Sequence, residues 1–187
     1  MARAALSAEA VVDVALRLVD EEGPAALTLA AVASRAGVAT PSLYKHVRSL
    51  ADLRGLVSVR IMEELNGQIS GAVQGRSADE AVRSLMMAWR DYVRTHPHRY
   101  AAVDQSPQPM VEQAAEEMVN IMLAALRAYG LEDSNAIHAA RCLRAAVHGF
   151  AVLEVGQGFQ LPEKLDESYN LMIHMVITGL STPLHHP

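Results

Sequence analysis

The sequence predicts an all-α protein in which a small N-terminal helical domain precedes a larger helical domain. Apolar residues recur at three- and four-residue spacing in one segment after another, and no segment shows the alternation typical of strands. Glycine and proline residues separate these segments at distances that match ordinary helix lengths. The 187 residues, 51% of them hydrophobic, are enough for one small module and one moderate domain.

Residues 28–47 predict two short helices joined by a glycine turn. Gly37 can adopt positive φ without a Cβ clash, so the first helix is expected to end there. Thr28 is placed to cap the first helix, and Thr40 followed by Pro41 is expected to cap and start the second. Ala33 supplies a small residue where the helices cross. With a longer helix before them, these elements predict a helix-turn-helix. The apolar stripe of that longer helix, which Gly23 and Pro24 end, contains Val11, Val14, Ala15 and Leu18.

The second short helix has two chemically different faces. Leu43 and Val47 share one stripe and are expected to face the core. The other side offers hydroxyl, imidazole and cationic groups that can bind phosphates and base edges in a major groove. The residues on this side that are expected to contact DNA are Pro41, Ser42, Lys45 and Arg48, with Tyr44 and His46 on its flanks.

The charge distribution favours the same interpretation. Residues 33–60 contain five basic residues and a single acidic one, Asp52, whereas residues 61–187 hold nine basic and fifteen acidic residues. A small basic patch on a chain of net charge -5 indicates one nucleic-acid-binding face. The alternative is a solvated surface that is basic by coincidence.

The remaining helices define the second domain. Ser49 and Asp52 resemble a capping box that opens a connecting helix over 49–69, and three glycines favour a loop over 67–79. We therefore expect domains at 1–48 and 70–187. Further helices are predicted around residues 82–93, 111–129, 134–155 and 166–180.

The helix over 134–155 is apolar around most of its circumference, which requires burial on more than one side. Together with the last helix it predicts a four-helix interface between two copies of the chain. The alternative is a central core helix in a monomer. The expected interface residues are Ala146, Gly149, Leu153, Ile173, Val176 and Ile177.

A cavity for a small, largely apolar effector is predicted in the second domain, because methionine and aromatic side chains form adaptable apolar walls. Taken singly, each candidate is more often an ordinary core residue than a ligand contact. The candidates are Met86, Trp89, Tyr92, Tyr100, Met118, Met122 and His148.

The sequence argues against an enzyme, since it lacks a phosphate-binding Gly-x-x-x-x-Gly-Lys motif and a nucleophile with an evident base. His138 and Cys142 share a helical face, but no third metal ligand accompanies them, so no metal or cofactor is expected. One cysteine, no secretory pattern and no membrane-length apolar run predict a cytoplasmic protein.

The stretch from Val11 to Val57 resembles the N-terminal domain of TetR-family transcriptional regulators. Glu22-Gly23-Pro24, Leu27-Thr28 and Ser42-Leu43-Tyr44-Lys45-His46-Val47 carry the resemblance. It implies a recognition helix that directs Thr40, Ser42 and Lys45 toward bases and Tyr44 and His46 toward phosphates. Positions at which family members often place DNA contacts hold Leu29, Ala30 and Leu50, which shifts the expected contacts toward Thr28 and Arg48.

The resemblance also implies a homodimer that binds a palindromic operator and responds to a small molecule. Two recognition helices related by a two-fold axis would address half-sites about 34 Å apart or a small multiple of it. His148-Gly149 resembles the Trp-x-x-x-His-Gly signature of a C-terminal subclass, with Arg144 at the tryptophan position. The alternative function is a helical small-molecule-binding or protein-interaction module without sequence-specific DNA recognition.

Overall fold

The structure is a computed structural model that describes residues 6–103 and 109–182. Within these ranges the regular elements are α-helices and short 3-10 helices, without strands, which confirms the all-α prediction. The α-helices are α1 (Ala8–Glu22), α2 (Leu29–Ala36), α3 (Thr40–Leu43), α4 (Leu50–Val73), α5 (Ala78–Thr95), α6 (Pro97–Ala102), α7 (Glu112–Leu126), α8 (Asp133–Val155) and α9 (Leu165–Leu180). The 3-10 helices are Pro24–Ala26, Pro109–Val111 and Arg127–Tyr129.

The chain divides into two compact units that alternate along the sequence. The first unit comprises residues 1–64 and 96–115, and the second comprises residues 65–95 and 116–187. Helix α4 therefore begins in the first unit and ends in the second, and α6 belongs to the first unit although it follows α5. The domain limits of 1–48 and 70–187 remain a prediction.

The core of the first unit is formed by the apolar stripes of α1 to α4. Each helix of the helix-turn-helix contributes buried side chains to it, because apolar spacing of three or four residues places them on one face. These side chains are Val11, Ala15, Leu18, Val19, Val32, Ala33, Leu43, Val47, Leu53, Val57 and Ile61.

The second unit packs α5, α7, α8 and α9 around a core rich in methionine and aromatic side chains. Among the described residues, the charged side chain of Arg90 is also buried in this unit. The buried apolar residues include Val82, Leu85, Met86, Trp89, Val93, Met118, Met122, Leu126, Leu143, Val147, Tyr169 and Ile173.

The predicted loop over 67–79 is largely wrong. Helix α4 continues to Val73, four residues past the expected end, because Leu65 and Ile69 extend the buried stripe of Ile61 at four-residue spacing. Gly71 lies on the exposed side of this helix, where an added Cβ would have nothing within 4 Å, so no close contact requires a glycine there. The interruption before α5 is a short turn over residues 74–77.

Two helix starts also differ from expectation. The N-cap of α3 is Ala39, whose backbone is extended, so Thr40 is the first helical residue and not the cap. A proline near the start of a helix costs little, because the first helical N–H has no intrahelical partner. The same property explains α6, which begins at Pro97 in a segment that lies between the helices predicted around 82–93 and 111–129.

Candidate nucleic-acid interface

The helix-turn-helix is built by the local signals that the sequence carries. The Thr28 hydroxyl accepts a hydrogen bond from the Ala31 N–H at 3.1 Å, which confirms Thr28 as the N-cap of α2. Gly37 has φ 66° and ψ 35°, the left-handed conformation that lets the chain turn sharply after α2. The Val38 N–H then donates to the Ala33 carbonyl at 3.0 Å, so the turn is fixed by backbone hydrogen bonds.

The region around α3 presents the predicted polar face outward. Leu43 and Val47 are 0% and 1% exposed, and they anchor this short helix in the core. On the other side Tyr44 is 57% exposed, and Lys45 is also exposed. Of the other predicted DNA contacts, Thr28, Pro41 and Arg48 are exposed, and Thr40, Ser42 and His46 are partly exposed.

The predicted excess of positive charge is smaller than the sequence count indicates. Arg35 binds Glu21 and Glu22 at 2.5 Å each, and Arg60 binds Asp13 at 3.2 Å. Three of the five basic residues between 33 and 60 thus have carboxylate partners, Arg48 being the third. Within the described ranges, the remaining two, Lys45 and Arg54, form no ion pair and are exposed.

Asp52, in the first turn of α4, stabilises the connection between α3 and α4 through hydrogen bonds. The Ser49 hydroxyl accepts from the Asp52 N–H at 3.0 Å, as a capping box predicts. The Asp52 carboxylate, however, accepts from the Arg48 N–H at 2.8 Å and pairs with the Arg48 guanidinium at 3.0 Å. These hydrogen bonds from Arg48 hold the pKa of Asp52 below its usual value. Arg48 itself stays 86% exposed, so its side chain is oriented and still accessible.

The predicted effector-binding residues are mostly buried, as both the cavity and the ordinary-core interpretations require. Tyr100 lies in the first unit and the other six lie in the second. His148 is partly buried, and burial together with the nearby Arg144 lowers its pKa. The second unit has a cavity of about 300 Å³, but none of the predicted effector-binding residues lines it. Its lining includes Leu131, His138, Cys142, Leu143, Met175 and Leu180.

Sequence reasoning missed a buried ion-pair cluster in the second unit. The Arg90 side chain is 4% exposed, and its Nε and Nη2 atoms each lie 2.7 Å from a Glu154 oxygen. Asp166 lies 2.8 Å from Nη2, and the Tyr169 ring centroid lies 4.5 Å from the guanidinium carbon. The Tyr169 hydroxyl donates to the Met86 carbonyl at 2.6 Å. No local signal marks these partners, because they come from α5, α8 and α9.

The predicted interface residues divide into two groups. Ile173 is 0% exposed and Ile177 is 9% exposed, so both pack within their own chain, and their place on an interface stays a prediction. Leu153 is 48% exposed, and Ala146, Gly149 and Val176 are partly exposed. Large apolar side chains that the prediction did not include are exposed on the same two helices, namely Ile137, Val152, Val155, Leu171 and Met175.

Comparison with known proteins identifies the class. Residues 11–54 match the model of bacterial regulatory proteins of the tetR family, and residues 82–176 match the tetracyclin repressor-like C-terminal domain. The chain is 37% identical over 156 residues to the uncharacterized HTH-type transcriptional regulator Rv0681 of Mycobacterium tuberculosis, covering 81% of this chain and 72% of that one. The protein is a DNA-binding transcriptional regulator and not an enzyme.

It belongs to the TetR family. Among solved structures, the fold is similar to a single-substitution variant of TetR from Acinetobacter baumannii in complex with minocycline, with a TM-score of 0.73, 20% identity and coverage of 93% and 96% of the two chains. BioQ with its natural double-stranded DNA operator also has a TM-score of 0.73, with 24% identity and coverage of 95% and 99%. None of the described helices has the length and apolar character needed to cross a membrane.

Proposed function

We propose that this regulator is a repressor that binds an inverted-repeat operator as a homodimer and is released by a small, largely apolar molecule. The observation that carries the proposal is the outward face around α3, where Lys45 and Tyr44 are exposed above the buried Leu43 and Val47. The operator complex of BioQ and the minocycline complex of the Acinetobacter baumannii TetR variant support the DNA and effector parts. Its place of action is the bacterial cytoplasm, where the chromosome lies.

The DNA contacts follow from the chemistry of this face. Lys45 is an exposed cation without an ion-pair partner in the described chain, so it can donate to guanine O6 and N7 in the major groove. Thr40 and Ser42 offer hydroxyl groups to neighbouring bases, while Tyr44 and His46 are placed to reach phosphates. Arg48 uses one nitrogen on Asp52 and keeps the others for a phosphate.

Selection of binding sites from random duplex DNA, followed by fluorescence anisotropy, tests this part. We expect a selected sequence with two inverted half-sites, and we expect Lys45→Ala to weaken operator binding about tenfold, as loss of one good base contact does. Arg127→Ala is the matched control, since Arg127 is an exposed arginine in the second unit. A chain that selects no common sequence would instead be a small-molecule-binding or interaction module.

The homodimer is supported by the exposed apolar face of α8 and α9. Met175 is 64% exposed and Leu171 is 59% exposed, and Ile137, Val152 and Leu153 add further apolar surface. Several large apolar side chains exposed on two packed helices are typical of a protein-protein contact surface. The cavity beside Met175, about 300 Å³ in volume, can receive apolar side chains of a second copy.

Sedimentation velocity of the full chain tests the dimer. Met175→Glu places a charge in the proposed interface and is expected to produce monomers that have lost operator affinity. The matched control is Met87→Glu on α5, because Met87 is also exposed, at 44%, but lines a surface groove with Ala72 of α4 and not with residues of α8 or α9. A dimer that persists in Met175→Glu, or is lost equally in Met87→Glu, would contradict this interface.

The effector site is proposed among the buried residues of α5, α7 and α8. Met86, Met118 and Met122 are flexible side chains that can rearrange around a ligand. His148 has a lowered pKa, so its imidazole is neutral near pH 7 and suits an uncharged ligand.

The uncharged fluorescent probe N-phenyl-1-naphthylamine tests whether such a site exists and whether it is coupled to DNA. We expect saturable binding that weakens operator affinity by about 5- to 150-fold, the usual range of allosteric coupling. Met122→Phe should reduce probe binding by filling space, whereas Met87→Phe on the exposed side of α5 should not. Probe binding that leaves operator affinity unchanged would contradict the coupling. A reporter gene preceded by the operator then distinguishes repression from activation.

A further inference from the structure

Helix α6 is tied to the first unit by one arginine. The Arg99 Nε and Nη2 atoms donate to the two carboxylate oxygens of Asp20 at 2.7 Å each, in a bidentate pair. The Arg99 Nη1 atom donates to Glu64 at 2.7 Å. Asp20 lies in the last turn of α1 and Glu64 lies on α4, so a single side chain joins three helices. Its side chain is 19% exposed, so solvent screens these contacts less than it screens a surface pair.

Further contacts hold the rest of α6 in the same unit. The His98 ring Nδ1 lies 3.0 Å from the Asp20 carbonyl oxygen, and the Tyr100 side chain is buried. At the other end of the helix, the Ser58 hydroxyl donates to the Ala102 carbonyl at 3.5 Å. The orientation of Arg99 is therefore set by the packing of its own helix.

The acidic end of α1 faces a second arginine beyond Asp20. The next two residues, Glu21 and Glu22, bind Arg35 in the last turn of α2. Three consecutive carboxylates at a helix C-terminus oppose the helix dipole, so this arrangement is unfavourable unless cations offset it. Arg99 and Arg35 offset it from two directions. The end of α1 thus links α6 to the helix-turn-helix through ion pairs.

We propose that Arg99 is a positioning residue for operator recognition, which holds the end of α1, and through it α2 and α3, at the angle that the DNA requires. The inference rests on the operator binding proposed above. Isolated surface ion pairs contribute little to stability, but a bidentate and partly buried arginine network orients what it joins. Arg99 itself does not touch DNA in this proposal. Loss of the Arg99 side chain alters the geometry of the outward face around α3 and leaves the number of phosphate-binding cations on that face unchanged.

A double-mutant cycle in the full chain tests the proposal, with anisotropy measured on the selected operator and on an unrelated duplex at the same salt concentration. We expect Arg99→Ala and Asp20→Asn each to weaken operator binding about tenfold, the middle of the range for coupled sites. Affinity for the unrelated duplex should change less than twofold. The double variant should lose no more than Arg99→Ala alone, since the pair with Asp20 is already absent in that variant.

Two further variants separate positioning from stability and charge. Arg99→Lys keeps the charge but cannot form the bidentate pair, so it should lose operator affinity while its far-ultraviolet circular dichroism stays that of the wild type. Arg127→Ala removes one positive charge away from the network and should behave as the wild type. Operator affinity within twofold of wild type in Arg99→Ala, or equal losses on both duplexes, overturns the inference. A wild-type chain that selects no operator overturns the proposed function, and this inference with it.

Discussion

Replacing Glu154 by glutamine tests the buried ion pair between Arg90 and Glu154 in the second unit. Glutamine keeps the size of the side chain but removes the charge that faces Arg90. The Arg90 guanidinium is then left with Asp166, which lies 2.8 Å away and is 74% exposed. Because the Arg90 side chain is 4% exposed, water cannot take the place of the lost carboxylate without disturbing the core.

The expected loss follows from the burial of the two partners. Removing one member of a buried ion pair costs about 3–5 kcal/mol of unfolding free energy. The remaining contact to Asp166 and the Tyr169 ring reduce this, so we expect a loss of roughly 2–3 kcal/mol. In a protein of this size a change of 1 kcal/mol shifts the melting temperature by about 2–4 °C, which predicts a decrease of about 5–10 °C.

Thermal unfolding followed by circular dichroism at one fixed protein concentration measures the effect, since oligomerisation makes melting temperatures concentration-dependent. Glu167→Gln is the control, because Glu167 pairs with Lys164 at 3.2 Å and both side chains are more than 70% exposed. An exposed pair of this kind contributes at most about 1 kcal/mol. Equal shifts in the two variants would refute the reasoning that burial makes the Glu154 contact expensive to break.

Two further predictions concern the first unit and α4. Because the folded pKa of Asp52 is depressed, its contribution to stability is complete above the unfolded pKa and is lost as the pH falls through the lower, folded value. The melting temperature of the wild type should therefore exceed that of Asp52→Asn at neutral pH, and the difference should shrink as the pH falls below about 4. A difference that is constant with pH would be inconsistent with this. Gly37→Ala should destabilise the protein by about 1 kcal/mol, since Gly37 has φ 66°. Gly71 lies within α4, and an added Cβ would have nothing within 4 Å of it, so Gly71→Ala should instead stabilise the protein by roughly 0.5–1 kcal/mol. Denaturant unfolding of both variants measures whether their changes in unfolding free energy have opposite signs.

The sequence predicted those parts of the fold that depend on neighbouring residues. Thr28 caps α2 and Gly37 ends it, because both effects act within four residues along the chain. The buried stripe of Leu43 and Val47, and with it the outward direction of Lys45, follows from helical periodicity alone. Glycine content predicted a loop at 67–79 incorrectly, since the buried Leu65 and Ile69 outweigh the low helix propensity of glycine.

Contacts between distant residues could not be predicted in this way. Arg90 and Glu154 are separated by 64 positions and Arg99 and Asp20 by 79, and neither pair has a local signature. An arginine in an amphipathic helix is ordinarily expected in solvent. Only the packing of α5 against α8 makes Arg90 a core residue with a defined partner.

The same limitation changes the account of DNA recognition. Counting charges along residues 33–60 predicts a strongly basic patch, but acidic residues from α1 bind Arg35 and Arg60. Non-specific attraction to DNA depends on the number of phosphates that free cations neutralise, so it should be weak for this chain. Discrimination between sequences must then come from the geometry of a few groups around Lys45. A protein of this kind depends more strongly on the angle of its recognition helix than a protein with many free cations does. Under the proposed role of Arg99, the ion pairs at the end of α1 therefore contribute to specificity.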